Sequence, residues 1–366
     1  MKHTKSSIWP CFSGLFLVLA VAFVIPVLSE GPPSKLVSTE WLNENLSKEN
    51  LRVIDVRGEI KDYWQDHIPG AVYFNLETMR LADHGVPVKL TPPEASAIML
   101  GKMGVNEKTM IVVYAEQNDY KATYLIWALD FLGHSSFGIL DGGFDKWQKE
   151  KRPVTQDYPM INPVGYALPS KLNEEVRATL EEVKELVNVG SGILLDVRPV
   201  QLYTGEKGFW KRNGHIKGAI NHFWGEDLED DGTWKSKDEL KQAYEKLGAT
   251  PDKTIIVSCG QGLMSAHSYF MLKHILGYPK VKNYDGGFNE WSNIDELPVE
   301  TETGKPSPDG EKLVNERCNS CHGLDRVHKA RKDKAGWEET VNRMIRKGAR
   351  LNEAERQAVV NYLSGH

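Results

Sequence analysis

Two kinds of apolar patterning alternate along this chain. Ile111-Val112-Val113 and Ile255-Ile256-Val257 are short continuous runs, expected of strands covered on both faces. Tyr124 to Leu129 and Tyr269 to Leu272 follow them on stretches of helical spacing. Strand–helix alternation predicts an α/β fold, a parallel sheet flanked by helices. Ligands of such sheets bind beyond the carboxyl ends of the strands.

The pattern occurs twice. Val53-Ile54-Asp55-Val56-Arg57 precedes His67-Ile68-Pro69-Gly70-Ala71, the strand Met110 to Tyr114, and Asp141-Gly142-Gly143-Phe144 ahead of Trp147. Leu194-Leu195-Asp196-Val197-Arg198 precedes His215-Ile216-Lys217-Gly218-Ala219, the strand Ile255 to Ser258, and Asp285-Gly286-Gly287-Phe288 ahead of Trp291. Four matched blocks in one order mark a duplicated domain. Expected boundaries are 34–155 for the first copy and 172–300 for the second. The proline-rich stretch Lys151 to Ser170 joins the copies, and a second linker follows at 301–308.

The first residues depart from this pattern. Lys2, His3 and Lys5 precede an uncharged stretch, Ser6 to Ser29, that is apolar from Cys11 to Leu28. This is the order of a secretory signal, with small Val27 and Ser29 ahead of Glu30, so 1–29 reads as a signal peptide and the protein as periplasmic. An uncleaved stretch of that length would instead anchor the chain in a membrane. A net charge of −5 over 366 residues argues against a nucleic-acid binder.

Cysteine use sharpens the picture. Cys11 lies in the export segment, Cys318 and Cys321 form Cys-x-x-Cys-His with His322, and Cys259 is left without a partner. Cys259 opens the turn Cys259-Gly260-Gln261-Gly262-Leu263-Met264-Ser265, between a strand and a helical pattern from Ser265 to Leu276. A helix N-terminus and two glycines there would direct amides toward one anion. A buried packing cysteine is the alternative. Aligning Val113-Tyr114 with Val257-Ser258 puts Ala115 opposite Cys259, so the fold does not need a thiol at that position.

The D-V-R strand end, the H-I-x-G-A block, the D-G-G-F-x-x-W segment and the C-x-x-G loop together resemble the two-domain rhodanese family of sulfurtransferases, over Ser34 to Val299. The resemblance implies an active second domain and a degenerate first one. Cys259 would take sulfur from a small donor as a persulfide and pass it to a thiophilic acceptor. Gly260, Gln261, Gly262, Leu263, Met264 and Ser265 would form the substrate loop. Arg198 corresponds to an arginine that binds the donor carboxylate in mercaptopyruvate-type members, or it serves a structural ion pair. A second such arginine is replaced by Thr204. Neutral Gly260 and Gln261 depart from the cationic loops of thiosulfate-type members, leaving thiosulfate and 3-mercaptopyruvate both open.

Residues 309–366 form a different unit. Cys-x-x-Cys-His matches the covalent attachment pattern of c-type haem, with His322 as proximal ligand. A zinc site would need ligands beyond these. The segment resembles small monohaem cytochrome c domains through Cys318-Asn319-Ser320-Cys321-His322, Gly336-Trp337, Met344, Gly348-Ala349 and a last helix. This resemblance implies one covalent haem c with Met344 as the sixth ligand, His328 being its rival. Asp309 and Asn352 are the expected helix caps. Residues 305–366 carry 13 Lys and Arg against 9 Asp and Glu, a net of +4 that leaves −9 for the remainder. A basic face there can dock an acidic redox partner. The expected function is an exported sulfurtransferase with coupled electron transfer. A sulfurtransferase with a haem sensor and a non-enzymatic sulfur carrier or electron shuttle remain the alternatives.

Overall fold

A computed structural model describes Met1 and residues 34–302, 310–318, 324, 327, 329–347, 349, 351 and 353–364. The signal segment, most of the second linker, Asp309 and Asn352 lie outside the described residues. Among those described, no helix is long and apolar enough to cross a membrane.

The apolar runs form the central strands of two sheets. The first has the order Leu36–Val37, Phe137–Leu140, Met110–Tyr114, Leu51–Asp55 and Val72–Tyr73, all parallel. The second has the order Ile220–Asn221, Gly192–Asp196, Thr254–Ser258 and Val281–Tyr284, also all parallel. A single bridge from Arg177 to Asn283 stands in for the outer strand of the first sheet. All five residues of Met110–Tyr114 are buried, as a strand covered on both faces requires.

The repeated blocks have repeated physical roles. Asp55 and Asp196 end their strands in buried ion pairs with Arg57 and Arg198. His67 stacks on Tyr63 with ring centres 3.8 Å apart and binds its carbonyl through Nδ1 at 2.8 Å. His215 does the same with Tyr203, at 3.7 Å and 2.8 Å. Both histidines pin turns.

The helices that follow the two loops, Lys121–Phe131 and Leu263–Phe270, pack together in one apolar core shared by both copies. Tyr269 donates to Asp130 Oδ2 at 2.6 Å, and the Trp127 indole donates to the Val176 carbonyl at 3.0 Å. Each copy also extends an arm to the other. The hairpin Arg80–Asp83/Val86–Leu90 turns through His84 and Gly85, both at positive φ, as a two-residue hairpin loop demands. Its Leu90 N–H donates to Asp285 of the second copy at 3.3 Å. Reciprocally, the Trp234 N–H donates to Asp141 of the first copy at 3.1 Å. Asp141 and Asp285 hold the same place in the repeat.

The described residues after the second linker are helical. Gly310–Leu313 continues through a wider turn, Val314–Cys318, and Lys334–Arg346 and Glu353–Ser364 follow. A Cβ on Gly310 would stand 2.3 Å from the Ala358 carbonyl oxygen, so the first helix meets the last at backbone distance. Leu313, Val314, Trp337, Val341, Val359, Val360 and Leu363 form a separate small core.

Candidate active site

The strand Thr254–Ser258 is central in its sheet and delivers Cys259 at its carboxyl end. Gly262, at φ +83, then starts the helix at Leu263, two residues before the patterning places it. The helix widens at Met271–Ile275 into a turn with longer-range bonds. The Asp-Gly-Gly-Phe block has its reason here. Phe288 N–H donates to the Cys259 carbonyl at 2.7 Å and Asn289 N–H to the Gly260 carbonyl at 3.0 Å. Gly287 has φ +57, and a Cβ there would meet both carbonyl oxygens at 2.7 Å. The first copy repeats this contact, with Phe144 N–H donating to the Ala115 carbonyl at 2.9 Å. Ala115 and Cys259 are therefore equivalent positions in space.

Cys259 is 2% exposed, and its Sγ accepts from the Ser265 hydroxyl at 3.4 Å. It closes one end of a cavity of about 130 Å³. Gly260, Gln261, Leu263, Met264 and Arg198 line that cavity, as the sequence predicts. Gly262 faces Asp285, and its carbonyl accepts from the Asn283 amide at 3.1 Å. Ser265 is fully buried against the sulfur. These two residues shape the loop and do not line the cavity.

Arg198 has both roles weighed for it. Nε donates to Asp196 at 2.8 Å, Nη2 donates to the Gly214 carbonyl at 2.8 Å, and the guanidinium lies 4.3 Å from the Phe288 ring centre. Arg57 makes the same set in the first copy, with the Asp66 carbonyl at 2.7 Å and Phe144 at 4.0 Å. The ion pair is therefore scaffold. Arg198 nevertheless borders the cavity, and its Nη1 is buried without a hydrogen-bond partner. Thr204 ends the short helix Val200–Thr204 and donates to the Gln201 carbonyl at 3.3 Å.

Leu202 and Phe209 also line the cavity, and Trp210, Tyr120 and Arg80 reach the site from outside the loop. Trp210, in the irregular segment 205–214, packs edge-on to Phe288 at 5.3 Å and borders the cavity. Its neighbour Arg212 anchors the segment on the carbonyls of Trp291, Ser292, Ile294, Asp295 and Leu297. Tyr120 and Arg80 come from the first copy, Tyr120 as cavity wall and Arg80 as a donor to Gln261. No local spacing in the sequence announces them, because only the packing of the two copies brings them here.

Behind the cysteine helix lies a buried polar cluster. Asp227 accepts from Tyr244 at 2.8 Å and pairs with His222 Nε2 at 2.9 Å. Burial pushes the Asp227 carboxyl up, but the charge and hydrogen bond of His222 outweigh it and hold the group at about 2. His267 stacks on Trp234 at 4.1 Å, and its Nδ1 lies 3.7 Å from Asp227, too far for a hydrogen bond. Burial holds the His267 imidazole below its usual range.

Of the residues expected to hold haem, Cys318 ends the wider helical turn, and its side chain is outside the described set. Cys321 and His322 also lie outside the described residues, as does His328. Met344 borders a second cavity, of about 420 Å³, with Trp337, Val341, Leu351, Val359 and Leu363. Arg317, Lys332, Arg343 and Lys347 border it as well, so an apolar chamber carries cations at its edge.

Comparison with known proteins agrees with this division. The model of the rhodanese-like domain matches residues 38–150 and 179–294. A haem-binding model, from the alpha subunit of quinohemoprotein amine dehydrogenase A, matches 308–366. The sulfur carrier protein TtuD of Thermus thermophilus is 38% identical over 280 residues, spanning 73% of this chain and 96% of the relative. A Synechococcus elongatus protein named "Putative thiosulfate sulfurtransferase" is 34% identical over 301 residues, spanning 78% of this chain and 92% of its own. An anaerobic ergothioneine biosynthesis enzyme from Chlorobium limicola has the same fold, with a TM-score of 0.65 and 24% identity over 73% of this chain and 70% of that one.

Proposed function

Because the chain belongs to the rhodanese family, as a tandem of two rhodanese-like domains, we propose that it moves sulfane sulfur by way of a persulfide on Cys259. Its relatives carry the names of sulfurtransferases and of a sulfur carrier, and the reaction class follows from them. One observation supports Cys259 as the nucleophile above all others. The same backbone contact holds Ala115 in one copy and Cys259 in the other, and the thiol borders a cavity.

In the first half-reaction the Cys259 thiolate attacks the outer sulfur of the donor. A new sulfur–sulfur bond forms as thiosulfate's own sulfur–sulfur bond breaks and releases sulfite, or as the carbon–sulfur bond of 3-mercaptopyruvate breaks and the leaving pyruvate enolate takes up the donor's thiol proton. An acceptor thiolate, cyanide or sulfite then takes the outer sulfur and restores Cys259. Ser265 donates to the sulfur throughout, and the amides of the first helical turn, which have no carbonyl a turn earlier, favour the anion. The mass of the intact protein after incubation with donor tests the reading. One added sulfur is expected, and Cys259→Ala gains none and does not turn over. Turnover in that variant would refute the assignment. A stoichiometric burst without turnover would instead support the carrier reading suggested by the name of one relative.

The second cavity supports a haem reading of the tail. Its volume falls within the usual range for cofactor sites, about 300–1,000 Å³, and its apolar walls and cationic edge suit a macrocycle bearing carboxylates. Cys318 and Cys321 would hold haem c covalently, His322 and Met344 would bind its iron, and the haem would supply one-electron exchange at a potential raised by the thioether. Export to the periplasm fits the sequence of the first segment and the attachment chemistry, and the tail's net +4 suits an acidic redox partner. Sulfur and electron chemistry in one chain is then a coupled activity. A purely sensory haem is the alternative. Mass spectrometry of the exported protein tests cleavage and covalent haem together.

A further inference from the structure

Two buried donors beside Cys259 have no acceptor among the described residues: Arg198 Nη1 and Trp210 Nε1. Both side chains border the cavity of about 130 Å³ that contains the sulfur, and the guanidinium carbon lies 4.8 Å from the Trp210 ring centre. Buried donors without acceptors are costly, so a pair of them at a cavity marks a place for a polar ligand group.

The surrounding protein fixes both donors. Asp196 and the Gly214 carbonyl hold Arg198. Phe288 and Gly260 hold Trp210, since a Cβ on Gly260 would stand 2.9 Å from its ring. Gly205 and Gly214, at φ +84 and +115, bring the ends of the Trp210 segment together, with Gly214 N 3.1 Å from where a Gly205 Cβ would be.

The charge available to a ligand is small. Asp196 already balances Arg198, Glu77 pairs with the Arg80 that donates to Gln261, and Gly260 and Gln261 are themselves neutral. The remaining walls, Leu202, Phe209, Leu263 and Met264 with the Tyr120 ring, are largely apolar. A dianion would leave one of its charges uncompensated there.

We infer that Trp210 Nε1 and Arg198 Nη1 form a two-donor seat for one oxyanionic group of the sulfur donor, and that the site selects a monoanionic donor with an apolar body over a dianion. This rests on Cys259 being the sulfur acceptor. An organic thiosulfonate has the required form. The Cys259 thiolate takes its outer sulfur, the donor's sulfur–sulfur bond breaks, and a sulfinate leaves with that bond's electron pair. The two negative charges are conserved, one on the persulfide and one on the sulfinate.

Methanethiosulfonate and thiosulfate make the test, since a methyl group replaces one charged oxygen. Sulfur uptake by Cys259 is followed by mass, with each rate divided by that of the same donor with free cyanide. The corrected rate constant for methanethiosulfonate is expected to exceed that for thiosulfate at least about tenfold. Trp210→Phe keeps the ring and removes the N–H. It is expected to raise KM for methanethiosulfonate about tenfold with little change in kcat or in KM for the acceptor. Equal use of thiosulfate, or an unchanged KM in Trp210→Phe, overturns the seat. The donor comparison needs only the unaltered protein, so it stands even if the variant folds poorly. Sulfur uptake that persists in Cys259→Ala would refute the persulfide reading itself, a distinguishable failure.

Discussion

Arg80 of the first copy donates from Nη2 to Gln261 Oε1 in the cysteine loop of the second copy, at 3.2 Å. Its side chain is 3% exposed and its guanidinium lies over Tyr124, while Nη1 pairs with Glu77 at 2.9 Å. The neutral loop thus has a cation beside it that comes from the other half of the molecule. Arg80→Met keeps the buried stem and removes the donor. The loss of one charge-assisted bond is expected to lower kcat/KM for sulfur transfer about three- to tenfold and to speed alkylation of Cys259 by iodoacetamide. Unchanged values for both would mean that Arg80 has no hold on the loop.

The degenerate copy cannot be revived by restoring its thiol. Ala115 stands where Cys259 does, but Glu116 and Asp119 follow it, and the cavity there has only about 30 Å³. Burial raises the Glu116 carboxyl, which also accepts from the Gly58 N–H at 2.8 Å. An anionic donor would meet carboxylates in a space too small for it. The double variant Cys259→Ala/Ala115→Cys is therefore expected to stay below about a hundredth of parental turnover. Recovery beyond that in a cyanide assay would show that loop charge and space matter little.

The residues that carry these arguments differ in how far the sequence foretold them. The repeat and its strands were legible because each depends on a local pattern, the matched blocks and the apolar runs. Ala115 opposite Cys259 was legible by register alone. The early helix start at Leu263 was not, since it depends on Gly262 adopting positive φ against Asp285. Nor were Arg80, Tyr120 and Trp210, which reach the cavity through long-range packing. The charge of the donor site was therefore only half readable, from Gly260 and Gln261 without the groups facing them.

The buried pair of His222 and Asp227 should give the fold a window of pH. Asp227 titrates at about 2, below its usual 3.8, so its contribution is present above about pH 4 and is lost as pH falls toward 2. Burial pulls His222 down, but Asp227 more than offsets this and raises it. The histidine's contribution is complete below about pH 6.5 and is lost as pH rises through its folded value. His222→Gln leaves a buried carboxylate short of its charged partner, at a cost of about 3–5 kcal/mol. The gap in Tm between parent and variant is expected to be widest between about pH 4 and 6.5 and to narrow on both sides. A gap that does not vary with pH would contradict the ionic account.

The tail should depend on the proposed haem for folding, while the two larger domains should not. Among the described residues its core has seven buried apolar side chains, of which Trp337, Val341, Val359 and Leu363 border the cavity of about 420 Å³. So small an apolar cluster is marginal alone, and units this short usually need a metal, a covalent link or a prosthetic group. Residues 34–302, by contrast, share one large core across both copies. Protein made without haem attachment is therefore expected to lose residues beyond about 302 to limited proteolysis, while keeping sulfur transfer at Cys259. Haem-loaded protein should resist cleavage there, and a Cys318→Ser/Cys321→Ser variant should behave like the unloaded form. Equal resistance with and without haem would mean that the tail's helices are stable on their own packing, and that the cavity beside Met344 is a feature of a self-sufficient fold.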